Sequence, residues 1–150
     1  GLLNRRGLLD AVQGLCEGDM PAALYLFDLD DLKRINDMLG HMEGDRMIRQ
    51  FGALLRAHTR ASDIVARFGG DEFVVVMRQM RGEESALEKG EKICRAFREA
   101  MFAEHTTVTC TAGVVLCEAS KSVYEMIGRA DQALYRAKNS AKGTCQLWKE

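Results

Sequence analysis

One proline, Pro21, and one tryptophan, Trp148, occur in 150 residues, and no tract is rich in proline, glycine or serine. That excludes a linker dividing the chain, so one folded unit is expected. No apolar run approaches the roughly 18 residues that cross a bilayer, and Gly1-Leu2-Leu3-Asn4-Arg5-Arg6 lacks the charge-then-apolar order of a secretory signal. An excess of one charge is missing too, because 21 Lys+Arg balance 22 Asp+Glu to a net -1. Non-specific binding to nucleic acid or to a membrane surface thereby loses its electrostatic basis, and an anionic ligand must be held locally. The five cysteines, Cys16, Cys94, Cys110, Cys117 and Cys145, form no C-x-x-C pair. Zinc and dithiol frameworks are thus not indicated, and reduced, packed thiols of a cytoplasmic protein are expected.

What is present is periodic. Leu8, Leu9, Val12, Leu15 and Cys16 keep helical spacing, with Glu17-Gly18-Asp19 as the stop. Ala22 to Leu29 is nearly all apolar and short, the pattern of a buried strand. A short helix over Leu32 to Leu39 and a longer one from Met47, marked by Ile48, Phe51, Leu54 and Leu55, follow. Ile64-Val65-Ala66 and Phe73-Val74-Val75-Val76 flank Arg67-Phe68-Gly69-Gly70-Asp71-Glu72 as a hairpin, with the glycine pair expected to supply the positive φ of a tight turn. A helix around Ile93 and Phe97, a strand within Thr106 to Leu116, a helix through Val123, Met126, Ala130, Leu134 and Ala137, and a last strand near Cys145 complete the chain. This order predicts an α/β (α+β) sandwich of split βαβ type, a mixed central sheet covered by helices.

Two acidic groups stand where chemistry is easily placed. Asp28 and Asp30 end the buried strand on one side of the chain, and Asp71-Glu72 lies at the hairpin tip. Together they can make an all-oxygen site for a hard cation such as Mg²⁺, which takes one or two carboxylates plus substrate phosphates. Taken separately, the same acids are ordinary strand-end and turn residues.

Arg67-Phe68-Gly69-Gly70-Asp71-Glu72-Phe73 resembles the signature of the GGDEF family, the bacterial diguanylate cyclases. Asp28-Leu29-Asp30-Asp31-Leu32-Lys33-Arg34-Ile35-Asn36-Asp37 with Gly40-His41 and Gly44-Asp45, Asn4-Arg5-Arg6, and Ala130-Asp131-Gln132-Ala133-Leu134-Tyr135-Arg136-Ala137-Lys138 resemble three more of its segments, in order. The resemblance implies a nucleotidyl cyclase or polymerase-palm fold with a mainly antiparallel sheet. It also implies condensation of two GTP to cyclic di-GMP and two pyrophosphates, across a homodimer formed during catalysis.

Carried over by position, Asp28, the Leu29 carbonyl and Asp71 would hold Mg²⁺, with Mn²⁺ as a substitute. Asp71 would take the proton from the attacking 3′-hydroxyl, with Glu72 second for that role and for the metal. Lys33 would pair with the β and γ phosphates, helped by backbone N–H groups of residues 30 to 33. Asn36 and Asp45 would read guanine; capping of the following helix is the bland alternative for Asp45. His41 would be structural or touch ribose. Lys138 and Lys142 would reach phosphates, although lysines four apart are more often a solvated face, and Lys142 stands where the family commonly has arginine. Leu32 and Leu39 replace the family's usual aromatics.

Arg60 and Asp63 fall on the R-x-x-D product-inhibition site, an ordinary i, i+3 pair being the alternative. The resemblance implies one catalytic domain over 1–150 with the family's upstream regulatory region absent, and leaves membrane anchoring of a parent chain open. No nucleic acid and no direct membrane contact are expected. A non-catalytic module binding GTP or cyclic di-GMP is the competing reading, and intact Asp28, Asp71 and Glu72 favour the enzyme.

Overall fold

The computed structural model describes residues 2–12 and 21–150. Its elements run α1 (Arg5–Ala11), β1 (Ala23–Leu29), α2 (Leu32–Leu39), α3 (His41–Ala57), β2 (Ile64–Arg67), β3 (Glu72–Met77), α4 (Glu83–Ala103), β4 (Cys110–Leu116), α5 (Val123–Ser140) and β5 (Cys145–Leu147). The sheet has the order β2-β3-β1-β4-β5, antiparallel except for the parallel β4/β5 pair. It is the predicted mixed sandwich. The stretch Leu15 to Asp19, expected to finish the first helix, lies outside the described residues.

β1 is central because both of its faces are apolar. Tyr25 and Phe27 point into the larger core with α3 and α4, whereas Leu24 and Leu26 point to α1 and α5. On the first face Phe51 contacts Phe27, Phe73 and Phe97 edge-on at 5.7, 5.1 and 4.9 Å, a geometry that aromatic quadrupoles favour. The buried Tyr25 hydroxyl donates to the Ala86 carbonyl at 2.6 Å, so this polar atom is not stranded.

Two details differ from the sequence expectation. Gly69 and Gly70 do not take positive φ; among the described glycines only Gly40 and Gly143 do. Four residues separate β2 from β3, so no two-residue turn has to be closed. The loop is held by Phe68 N–H and Gly69 N–H donating to the Glu72 carbonyl, and by the Arg67 guanidinium donating to the carbonyls of Gly69 and Gly70. The second difference is that α3 starts at His41 rather than near Asp45, with Gly40 preceding it and no side-chain cap. Asp45 is therefore an exposed residue inside the helix and caps nothing.

α5 sits directly on β4 at Gly113. A Cβ there would lie 2.1 Å from the Ala130 carbonyl oxygen and 2.4 Å from the Leu134 nitrogen, both backbone atoms. Gly113→Ala should cost at least about 3 kcal/mol, because the helix must leave its seat. Gly128→Ala, with nothing within 4 Å, should instead gain about 0.5–1 kcal/mol from helix propensity. Urea unfolding of both variants checks this, and similar midpoints would refute the close seat.

Candidate active site

The end of β1 meets the start of β3. Asp28 pairs with Glu72 in the antiparallel register, and the Leu29 N–H donates to the Asp71 carbonyl at 3.1 Å. Strand pairing thus brings together two acidic groups that lie more than forty residues apart in the chain. Asp28 Oδ2 is paired with the Lys138 ammonium from α5, and Asp28 Oδ1 is buried without a hydrogen-bond partner. Burial pushes the Asp28 carboxyl up to about 6; Lys138 opposes this by hydrogen bond and charge, and the adjoining Asp71 adds to it. Glu72 is raised by burial and by the charges of Asp71 and Asp131, against Lys138 and Arg5. Lys138 is raised although burial works against its charge, because the hydrogen bond to Asp28 and the charges of Asp28, Asp30 and Asp71 outweigh it.

Asp30 shares this side of the strand but is employed differently. It is buried, and its Oδ2 accepts from the Thr109 and Thr111 hydroxyls at 2.7 and 2.6 Å. Its N–H donates to the Thr109 carbonyl at 2.9 Å. That N–H is therefore withdrawn from the set expected to face phosphate. The chain then turns through Asp31, in the left-handed region at φ 60°, into α2, which has no side-chain cap. The leading N–H groups of α2 have no partner within the helix, which makes this end suited to an anion. Lys33 stands exposed in that first turn, and Lys142 reaches back to Asp31 at 3.2 Å. Neither Lys138 nor Lys142 is a free surface lysine.

Asn36 is brought against Gly44, the residue before Asp45, where α2 meets α3. A Cβ on Gly44 would lie 1.8 Å from Asn36 Oδ1, so only glycine admits the Asn36 side chain there. Asn36 Oδ1 is buried and unpartnered, Asp45 is the next residue along α3, and His41 is exposed at the helix start. Arg60 and Asp63 lie apart from this cluster, in the turn before β2. The Asp63 oxygens accept from the backbone N–H groups of Arg60 at 2.8 Å and Arg78 at 3.0 Å. Asp63 thus organises its own turn. It is not ion-paired with the Arg60 side chain, which is exposed.

Two residues bordering Glu72 were not singled out from sequence. Asp131 and Arg5 both act on its charge, and Arg5 also stacks over the Phe68 ring at 4.2 Å. The signal for Asp131 was its seven-residue spacing from Lys138, two helical turns on one face.

The family model described as "Diguanylate cyclase, GGDEF domain" matches residues 1–144. The chain belongs to this family. It is 37% identical over 131 residues to the diguanylate cyclase DgcP of Pseudomonas aeruginosa, covering 83% of this chain and 19% of that protein. It is 32% identical over 152 residues to the diguanylate cyclase DgcZ of Escherichia coli, covering 98% of this chain and 51% of that one. The chain thus spans about half or less of these relatives' length. The active GGEEF domain of a diguanylate cyclase from Vibrio cholerae superimposes with a TM-score of 0.89 at 28% identity, covering 100% of this chain and 99% of that one.

Among the described residues no three or more His, Cys, Asp or Glu gather into a metal cage. The two carboxylates of Asp28 and Asp71, with the unpartnered Asp28 Oδ1, nevertheless fit Mg²⁺, which takes one or two carboxylates and completes its shell with water and phosphate.

A pH dependence follows for the protein without metal or nucleotide. A carboxyl raised to about 6 when folded binds its proton more tightly than in the unfolded chain, where the value is about 3.9. The stability it contributes is fully present below the unfolded value and is lost as pH rises through about 6. Asp28→Asn, which does not titrate, should gain stability relative to the parent between about pH 4 and pH 7. Urea unfolding in chelator at both pH values checks this; a difference that stays constant with pH would refute it.

Proposed function

We propose that this domain condenses two GTP into cyclic di-GMP with release of two pyrophosphates. The observation carrying the reading is the meeting of Asp28 and Asp71 at the β1/β3 junction beside the uncapped start of α2. Asp28, Asp71 and the Leu29 carbonyl would hold Mg²⁺, or Mn²⁺ in its place; the ion supplies charge neutralisation at the phosphates and a more acidic 3′-hydroxyl.

The chain's own groups perform the rest. Asp71 accepts the proton of the attacking hydroxyl, and Glu72, kept less acidic by burial, stands next to it. Lys33 and the leading N–H groups of α2 bind the β and γ phosphates and steady the charge that collects on the leaving pyrophosphate. Lys138 and Lys142 supply further positive charge from α5. Asp45 accepts from guanine N1–H and the exocyclic amine, which adenine cannot match, and Asn36, half-buried against Gly44, offers its amide from α2. His41 borders the sugar.

Each copy has one acid cluster and one base-reading pair. Two copies must therefore face each other, each holding one GTP with its 3′-hydroxyl aimed at the other's α-phosphate. Separately, Arg60 offers an exposed guanidinium fork to a phosphate or guanine edge of the product. Asp63, occupied by two backbone N–H groups, shapes that turn.

Incubation with GTP and Mg²⁺ followed by chromatography tests the reading. Cyclic di-GMP should form, and Asp71→Ala should lower the rate by about 10³-fold or more while leaving the urea midpoint nearly unchanged. Product formation by Asp71→Ala at the parental rate would overturn the assignment, and a parent that binds GTP without turnover would make it a binding module.

Calorimetry with cyclic di-GMP tests the second site. Arg60→Ala should lose about tenfold or more in product affinity and keep its GTP rate. Asp63→Ala should lose about 1–3 kcal/mol of stability as well, because two N–H groups are left unpaired. Unchanged product affinity in Arg60→Ala would leave Arg60 as a plain surface residue.

A further inference from the structure

The proposed metal site already holds a cation that belongs to the chain. The Lys138 ammonium sits on Asp28 Oδ2, within the field of Asp30 and Asp71. Its side chain is 31% exposed and that of Asp28 15%, so the pair lies at the floor of the site rather than on the rim. The helix carrying Lys138 is seated closely on β4, where Gly113 fits against the backbone of α5 without room for a methyl group. The lysine reaches Asp28 from there on a flexible four-carbon stem. Lys142, one turn further on, is held by the exposed Asp31 and leaves the Asp28 oxygens alone.

An ammonium on Asp28 Oδ2 and a divalent ion taking the unpartnered Oδ1 would share one carboxylate and repel each other. In the free protein a bare metal ion would bind against that adjacent positive charge, or displace it with no new anion to receive the lysine. A nucleotide triphosphate supplies that anion. Resting on the metal-site reading above, we propose that Lys138 is a tethered cation that occupies the Asp28 end of the metal site in the free protein and yields it when a triphosphate arrives. Metal and nucleotide then bind with positive coupling, and Lys138 sets its size. The device keeps the clustered carboxylates compensated in the empty domain. It also disfavours capture of a metal ion in the absence of substrate.

The test reads metal affinity, not turnover. Free Mn²⁺ is followed by electron paramagnetic resonance during titration of the nucleotide-free protein, then repeated with a GTP analogue carrying a methylene between the α and β phosphorus atoms. Without nucleotide, Lys138→Met should bind Mn²⁺ about tenfold more tightly than the parent, since an adjacent positive charge has been removed. Lys138→Arg, which keeps the charge, should stay within about threefold of the parent. The analogue should tighten Mn²⁺ binding by a larger factor in the parent than in Lys138→Met. Lys138→Gln serves as a second neutral variant should the methionine variant fold poorly. Equal or weaker Mn²⁺ affinity in the neutral variants, with binding intact in the parent, overturns the tethered cation and leaves the metal site standing. Absence of Mn²⁺ binding in every protein, with and without the analogue, overturns the metal site and this proposal together.

Discussion

The register of β1 against β3 is the constraint on which the site depends. It pairs Asp28 with Glu72 and ties the Leu29 N–H to the Asp71 carbonyl, so a slip of one residue would turn the acids to opposite faces. The register is secured by burial. β1 carries apolar residues toward both layers, and moving them by one position would exchange Phe27 with Leu26 and dismantle the packing around Phe51. The acids thus inherit their geometry from a core in which they take little part.

The second support is the seat of α5 on the sheet. Gly113 lets the helix backbone approach β4 closely, which brings Lys138 to Asp28 and Lys142 to Asp31. Asp30 reinforces the same corner: Thr111 donates to its carboxylate and accepts from the Gly143 N–H at 2.9 Å, just beyond Lys142. A buried carboxylate whose one oxygen accepts from two hydroxyls and whose other has no partner is costly to keep. Here it joins the end of β1, the neighbouring strand β4 and the exit of α5.

Much of this was legible in the sequence because the periodicity was strong. The helix over Leu32–Leu39 was bounded as found, and the apolar run of β1 could be little else than a buried strand. Errors arose where a local rule had two causes. A glycine pair between strands suggested positive φ, whereas Gly70 has open space around it and Gly69 sits 3.3 Å from Glu72 Oε1, measured from the position its Cβ would take. Asp45 after a glycine suggested a cap, but α3 had already begun at His41. The sequence placed Asp28 and Asp30 on one side of the chain but could not separate their employment, since that turns on two threonine hydroxyls, Thr109 just before β4 and Thr111 within it, about eighty residues away.

The ion pair between Lys138 and Asp28 shows why charge near such a site is not settled by counting residues. The chain is close to neutral overall, yet at the end of β1 three acids crowd one lysine, and burial holds Asp28 and Glu72 less acidic than ordinary carboxyls. A site arranged this way carries more negative than positive charge in the empty protein. On the proposed reading, a divalent cation arriving with its phosphates would correct that imbalance, the cation compensating the carboxylates and the phosphates receiving the lysines. Affinity for either component alone would then be reduced by the same charges that make their joint binding favourable.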